Sequence, residues 1–288
     1  MFSTTLPLRW SDMDAQGHVN NGVIVDYLQE ARVRFLRGGV ASSLLDSGVI
    51  VVSHQVEYRR SIDYDDEGIH VELGVASLGA AKIEIAYELS QGGQVAVRAR
   101  TVLCPFDFDE QRPVRLTAEQ RAFFDAHRTD ADPLRELEAP SLEARGTAID
   151  TFVRWSDLDS YGHVNNAMVF DYVQQARVTA TTQWDPSMAR AGSKGSQYMW
   201  LVARQDVDYV AQIDHRVTPF VIRVAPVSLG TSSIVLASEI TDPVNGAVLV
   251  RARTILVCAD LNMKKVELPA RMRERLEPHL VVSDEPAQ

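Results

Sequence analysis

Asp14 and His18 stand four residues apart across Gly17 in "SDMDAQGHVNN" (11–21), and Asp159 and His163 repeat the spacing across Gly162 in "SDLDSYGHVNN" (156–166). A carboxylate and an imidazole just ahead of a helix start, whose unpaired backbone N–H groups favour negative charge, are parts that can attack or protonate a carbonyl and hold its oxyanion. Glycine between them permits the tight turn that brings them together. Asn20, Asn21, Asn165 and Asn166, which close the two phrases, suit N-caps equally well. Asp12 and Asp157 suit turn acids that accept backbone N–H groups. Trp10 and Trp155 are expected to bury their indoles at the end of the preceding strand.

The elements that must position these groups also occur twice. Each phrase follows a strand-like opening, "TTLPLRW" or "TAIDTFVRW", and leads into a stretch with the three-and-four spacing of an amphipathic helix. Its apolar positions are Ile24, Tyr27, Leu28, Ala31 and Phe35 in the first copy and Val169, Tyr172, Val173, Ala176 and Ala180 in the second. Stretches rich in β-branched residues follow near 50–62, 68–78, 81–90 and 94–104, with "QGG" as a hairpin turn, and again near 199–213, 219–228, 231–240 and 247–258. The offset between matched residues grows from 145 at Trp10 and Trp155 to 151 at Val56 and Val207 and 153 at Arg98 and Arg251, as small loop insertions between matched elements require. The pattern predicts an α+β class with a sheet covering one helix in each copy. Residues 1–110 form a first domain, 111–146 a surface linker with a short helix opened by the Thr117–Gln120 capping box, and 147–288 a second domain.

Charge and composition narrow the function classes. Acids exceed bases by 39 to 29, a net charge of -10, which disfavours nucleic acid and anionic membrane surfaces as partners. The start lacks a secretory pattern and no apolar run is long enough to span a bilayer, so a cytoplasmic location is expected. Cys104 and Cys258, the only cysteines, read as buried reduced thiols, and they are too few for a thiolate zinc site. No metal or other cofactor is expected.

"RWSDMDAQGHVNN" and "RWSDLDSYGHVNN", each followed by an amphipathic helix, resemble the motif of hotdog-fold thioesterases of the 4-hydroxybenzoyl-CoA thioesterase family, and "VEYRRSI" (56–62) resembles a segment of plant-type acyl-carrier-protein thioesterases. The resemblance implies two tandem hotdog domains, each a long helix wrapped by an antiparallel sheet, forming an intramolecular pseudo-dimer, with further pairing as a homo-oligomer left open. It implies hydrolysis of acyl-CoA or acyl-carrier-protein thioesters, with Asp14 and Asp159 as catalytic acids, His18 and His163 beside them, and Glu57 and Asp208 contributed by the following strand. The carbonyl would lie at the helix N-termini, near Asn20, Asn21 and Gly22 or Asn165, Asn166 and Ala167. These relatives carry Asn two residues after the catalytic Asp, where this chain has Gln16 and Tyr161. Arg98, Arg100, Arg251 and Arg253, alternating along two matched strands, are candidates for coenzyme A phosphates or for a solvated outer face. The rival functions are a non-catalytic acyl-CoA-binding protein and a hotdog hydratase. The hydratase motif carries a proline and places its Asp and His five apart, which argues against it here.

Overall fold

The computed structural model describes residues 1–138, 140–188 and 197–282. They divide into two compact units, Met1–Arg135 and Glu136–Gln288.

The first unit contains strands β1 (Phe2–Leu6), β2 (Val49–Tyr58), β3 (Ile69–Leu78), β4 (Ile83–Gln91), β5 (Gln94–Asp107) and β6 (Arg112–Pro113), and helices α1 (Ile24–Arg37), α2 (Ser43–Ser47) and α3 (Ala118–Asp125). Its antiparallel sheet runs β1-β3-β4-β5-β2, with β6 on β5. Strand β3 shows why one face is covered: Ile69, Val71 and Leu73 are buried while His70 and Glu72 between them face out, the two-residue alternation of a one-sided sheet. The apolar stripe of α1 is buried at every expected position, Ile24, Tyr27, Leu28, Ala31 and Phe35, and the helix packs on β1 and β3. The "QGG" turn closes the β4–β5 hairpin as expected, pairing Gln91 with Gln94. Gly92 and Gly93 both take positive φ, 55° and 72°, the backbone that such a two-residue turn demands.

The second unit repeats this plan with β7 (Thr147–Thr151), α4 (Met168–Trp184), β8 (Met199–Tyr209), β9 (Phe220–Leu229), β10 (Ser233–Thr241), β11 (Val248–Ala259) and α5 (Ala270–Leu276), in the order β7-β9-β10-β11-β8. Helix α4 buries Val169, Tyr172, Val173, Ala176 and Ala180, the residues that match the first stripe. Each unit is therefore a long helix wrapped by an antiparallel sheet, the hotdog plan. Cys104 and Cys258 are buried and form no disulfide, and burial pushes both thiols above their ordinary range. Among the described residues no helix is long and apolar enough to cross a membrane.

Candidate active site

The acidic phrase folds as a small excursion between the first strand and the helix of each unit. In the first unit Asn20 N–H donates to the Asp12 carbonyl (2.9 Å), Met13 bridges Val19, and Asp14 N–H donates to the His18 carbonyl (2.7 Å). Asp14 and His18 thus form the tip, about 7 Å beyond the Asp12–Asn20 rung at the strand rise per residue. Gly17 makes the closing turn at φ 85°, a conformation that a β-carbon disfavours. The excursion is fastened to the chain after β2, where Val19 N–H donates to the Ile62 carbonyl (2.8 Å) and His18 bridges Asp63. The second unit reproduces each contact: Asn165 to Asp157 (2.8 Å), Leu158 with Val164, Asp159 to His163 (2.8 Å), and Val164 to Ile213 (2.9 Å).

One carboxylate oxygen of each tip acid is held by its own turn. Asp14 Oδ1 accepts Gln16 N–H (2.7 Å) and His18 N–H (3.3 Å), and Asp159 Oδ1 accepts Tyr161 N–H (2.8 Å) and His163 N–H (3.3 Å). Two backbone donors fix the carboxylate plane, and Asp14 Oδ2 has no partner among the described residues. The imidazoles do not bond to these carboxylates. His18 Nε2 lies 3.6 Å from Asp63 Oδ1 and His163 Nε2 lies 3.8 Å from Asp214 Oδ1. Asp63 and Asp214 are matched acids 151 apart, the one signal that could have marked them, but nothing in the spacing ties them to the histidines.

At the helix starts, Asn20 Oδ1 accepts Gly22 N–H (2.9 Å) and Asn165 Oδ1 accepts Ala167 N–H (3.1 Å). These are local turns ahead of the helices rather than the expected caps, since the N-cap positions fall on Val23 and Ala167 with no side-chain cap bond, and each occupies a donor that the sequence left for a carbonyl. Asn21 N–H has no acceptor among the described residues. The Asn21 and Asn166 carbonyls are held by the hydroxyls of Tyr58 (2.8 Å) and Tyr209 (2.7 Å). Glu57 and Asp208 share no hydrogen bond with the tip of their own unit. Glu57 lies opposite Arg98 and 3.2 Å from Arg59, and Asp208 lies opposite Arg251 and 2.5 Å from Arg253. Arg98 pairs with Glu88 (2.6 Å) and Arg251 stands 3.5 Å from Glu239. Arg100 is buried and donates to the Ala131 and Asp132 carbonyls.

Trp10 and Trp155 are 75% and 76% exposed, contrary to the burial expected of them. Each begins a short 3-10 turn that swings the indole outward, where it meets Tyr64 or His215 edge-on at 5.4 Å. Among the described residues no group of three or more His, Cys, Asp or Glu could hold a metal ion.

Asp12 and Asp157 do more than brace the turn. Asp12 accepts the Tyr27 hydroxyl (2.5 Å), and Asp157 accepts the Tyr172 hydroxyl (2.6 Å) and Arg154 N–H (2.9 Å). Burial first, then the neighbouring carboxylate, pushes both phenols well above their ordinary value of 10.0. Below pH 10 folded and unfolded chains both keep these protons, so the stabilisation is complete. As pH rises past 10 the unfolded phenols ionise first and stability falls. Tyr172→Phe should cost about 2 kcal/mol at neutral pH, the worth of a hydrogen bond to a charged acceptor, and should flatten the alkaline fall. Urea midpoints at neutral pH and above pH 10 test this, and an unchanged alkaline slope would remove the tyrosine from the account.

A family model described as the thioesterase-like superfamily matches residues 8–124 and again 153–276. No curated protein matches the chain in sequence. Among solved structures, a Lactobacillus plantarum protein assigned as an oleoyl thioesterase is 16% identical with a TM-score of 0.70, over 89% of this chain and 95% of that one. The 12:0-ACP thioesterase of Umbellularia californica is 16% identical with a TM-score of 0.67, over 89% and 97%. An acyl-ACP thioesterase of Bacteroides thetaiotaomicron is 15% identical with a TM-score of 0.63, over 88% and 97%. At such identities the likeness is one of fold. The family model spans both repeats and most of the chain, and the chain belongs to the thioesterase-like superfamily as a tandem pair of hotdog domains.

Proposed function

We propose that this protein hydrolyses acyl thioesters of coenzyme A or acyl carrier protein to a free acid and a thiol, with Asp14 and Asp159 as the reacting carboxylates. The observation that carries this reading is the tip acid itself: two turn N–H groups hold Asp14 Oδ1, while Oδ2 has no partner among the described residues. A carboxylate so held is oriented before substrate arrives, which is where much of an enzyme's advantage lies. Asp14 Oδ2 either attacks the thioester carbonyl, expelling thiolate and leaving a mixed anhydride that water opens, or takes a proton from the water that attacks instead. The carbonyl oxygen is received at the helix start, where Asn21 N–H has no acceptor among the described residues. His18, near Asp63, supplies a proton to the departing thiolate.

The test is thiol release from short, medium, long and aromatic acyl-CoA and from an acyl-carrier-protein substrate, with and without chelator. Turnover that chelator leaves unchanged is the expected result. Tight binding without turnover would instead assign the chain to the acyl-CoA-binding class.

A further inference from the structure

Arg32 lies in the middle of α1 and is 5% exposed, yet no carboxylate stands within ion-pair distance of it among the described residues. Its one hydrogen bond among the described residues runs from Nη1 to the Tyr87 hydroxyl at 3.4 Å, near the limit of such a contact. A guanidinium does not shed its proton in a protein, and burying it without an anion costs several kcal/mol. The surroundings do not offset that cost. Tyr87, on the covered face of β4, is 2% exposed, and the other polar groups on that face nearby, Thr101 and His54, bond to each other (2.9 Å). Arg177, the matching residue of α4, is buried as well.

We infer that Arg32 and Tyr87 form a receptor for a carboxylate at the far end of the acyl group, so that the first unit prefers carboxyl-terminated acyl thioesters to plain fatty acyl ones. This rests on the thioesterase reading for where the thioester lies. Tyr87 accepts from Arg32, which leaves its own hydroxyl proton free to donate, so a single carboxylate can be bound by both. The ten residues from Gly22, just ahead of α1, to Arg32 span about 15 Å at the helical rise, and a long side chain reaching back a turn shortens this to about 10 Å, a medium-length chain. A singly charged planar group suits one guanidinium fork and one hydroxyl better than a phosphate, which attracts several cations.

The test uses the full chain with succinyl-, adipyl-, suberyl- and sebacyl-CoA against butyryl-, hexanoyl-, octanoyl- and decanoyl-CoA, and with uncleavable thioether analogues of the suberyl and octanoyl pair. The parent should favour one of the carboxylated members by at least tenfold in kcat/KM. Arg32→Met, similar in length and free of the unpaired charge, should reverse the preference and raise the melting temperature, and Tyr87→Phe should weaken it. A parent that prefers the plain chains, or a preference that Arg32→Met leaves unchanged, overturns the inference. If no ester is cleaved but the carboxylated thioether binds at least tenfold tighter through Arg32, the receptor stands and the hydrolytic reading falls. If neither analogue binds and nothing is cleaved, both fall.

Discussion

Asp14→Asn should lower kcat/KM on the best thioester at least a hundredfold, about 3 kcal/mol of lost transition-state stabilisation, while the melting temperature stays within a degree or so of the parent. The substitution keeps the shape of the side chain and an oxygen for the Gln16 and His18 N–H groups, so the turn survives. What disappears is the negative charge on Oδ2, which both routes need. Asp159→Asn should cost less on the same substrate. The two tips have nearly the same geometry, 2.7 and 3.3 Å against 2.8 and 3.3 Å, so any inequality arises outside them. The matched strand acids differ: Asp208 is bound at 2.5 Å to Arg253, whereas the longer Glu57 rests 3.2 Å from Arg59 and is freer to reorient. Single-mutant kinetics at matched melting temperatures check this. Equal losses would mean equivalent or coupled sites, and no loss in either would remove the tip acids from the chemistry.

The helices and strands were legible because burial imposes a period. Ile24, Tyr27, Leu28, Ala31 and Phe35 could share one side of a chain only if it were helical, and the repeat supplied a second reading of the same pattern. The Thr117–Gln120 capping box and the reduced thiols were equally local and are present as read. Side-chain direction at irregular positions was not legible. The 3-10 turn at Trp10 aims its indole outward, although nothing in the neighbouring residue types distinguishes that from the buried alternative. The contacts Asp12–Tyr27 and His18–Asp63 join parts of the chain 15 and 45 residues apart, and spacing alone does not reveal such pairs. The burial of Arg32 was not legible because a charged residue between apolar ones reads as the solvent side of a helix. It is buried because α1 is covered around a wider arc than its stripe suggests, with Val25 and Leu36, both outside that stripe, also buried.

Phe124→Ala should destabilise the protein by about 3–5 kcal/mol, the range for removing a buried aromatic ring, although the residue lies in the stretch that composition marks as a linker. Phe124 is 0% exposed, with its ring 5.4 Å from Phe123 and 6.2 Å from Phe35, and Phe123 in turn is 5.0 Å from Phe35. The docking depends on Gly39, where a β-carbon would come within 2.5 Å of the Phe123 ring. After α3 the chain continues along β3, exchanging hydrogen bonds between Val75 and His127 (2.8 Å) and Thr129 (3.0 Å). It then passes over Arg100, which holds the Ala131 and Asp132 carbonyls. Composition could not show this, because a polar segment needs only one or two large apolar anchors to be bound down, and two phenylalanines among charged residues leave no periodic signal. A loss of 3–5 kcal/mol is a large share of the roughly 5–15 kcal/mol that a folded protein has in reserve. Thr117→Ala, which deletes the cap alone, should cost only about 1 kcal/mol. Urea unfolding of the two variants beside the parent checks the ranking. A Phe124→Ala cost below that of the cap would mean that α3 is held by its own ends and contributes little to the first unit's core, leaving residues 111–135 free to act as a tether.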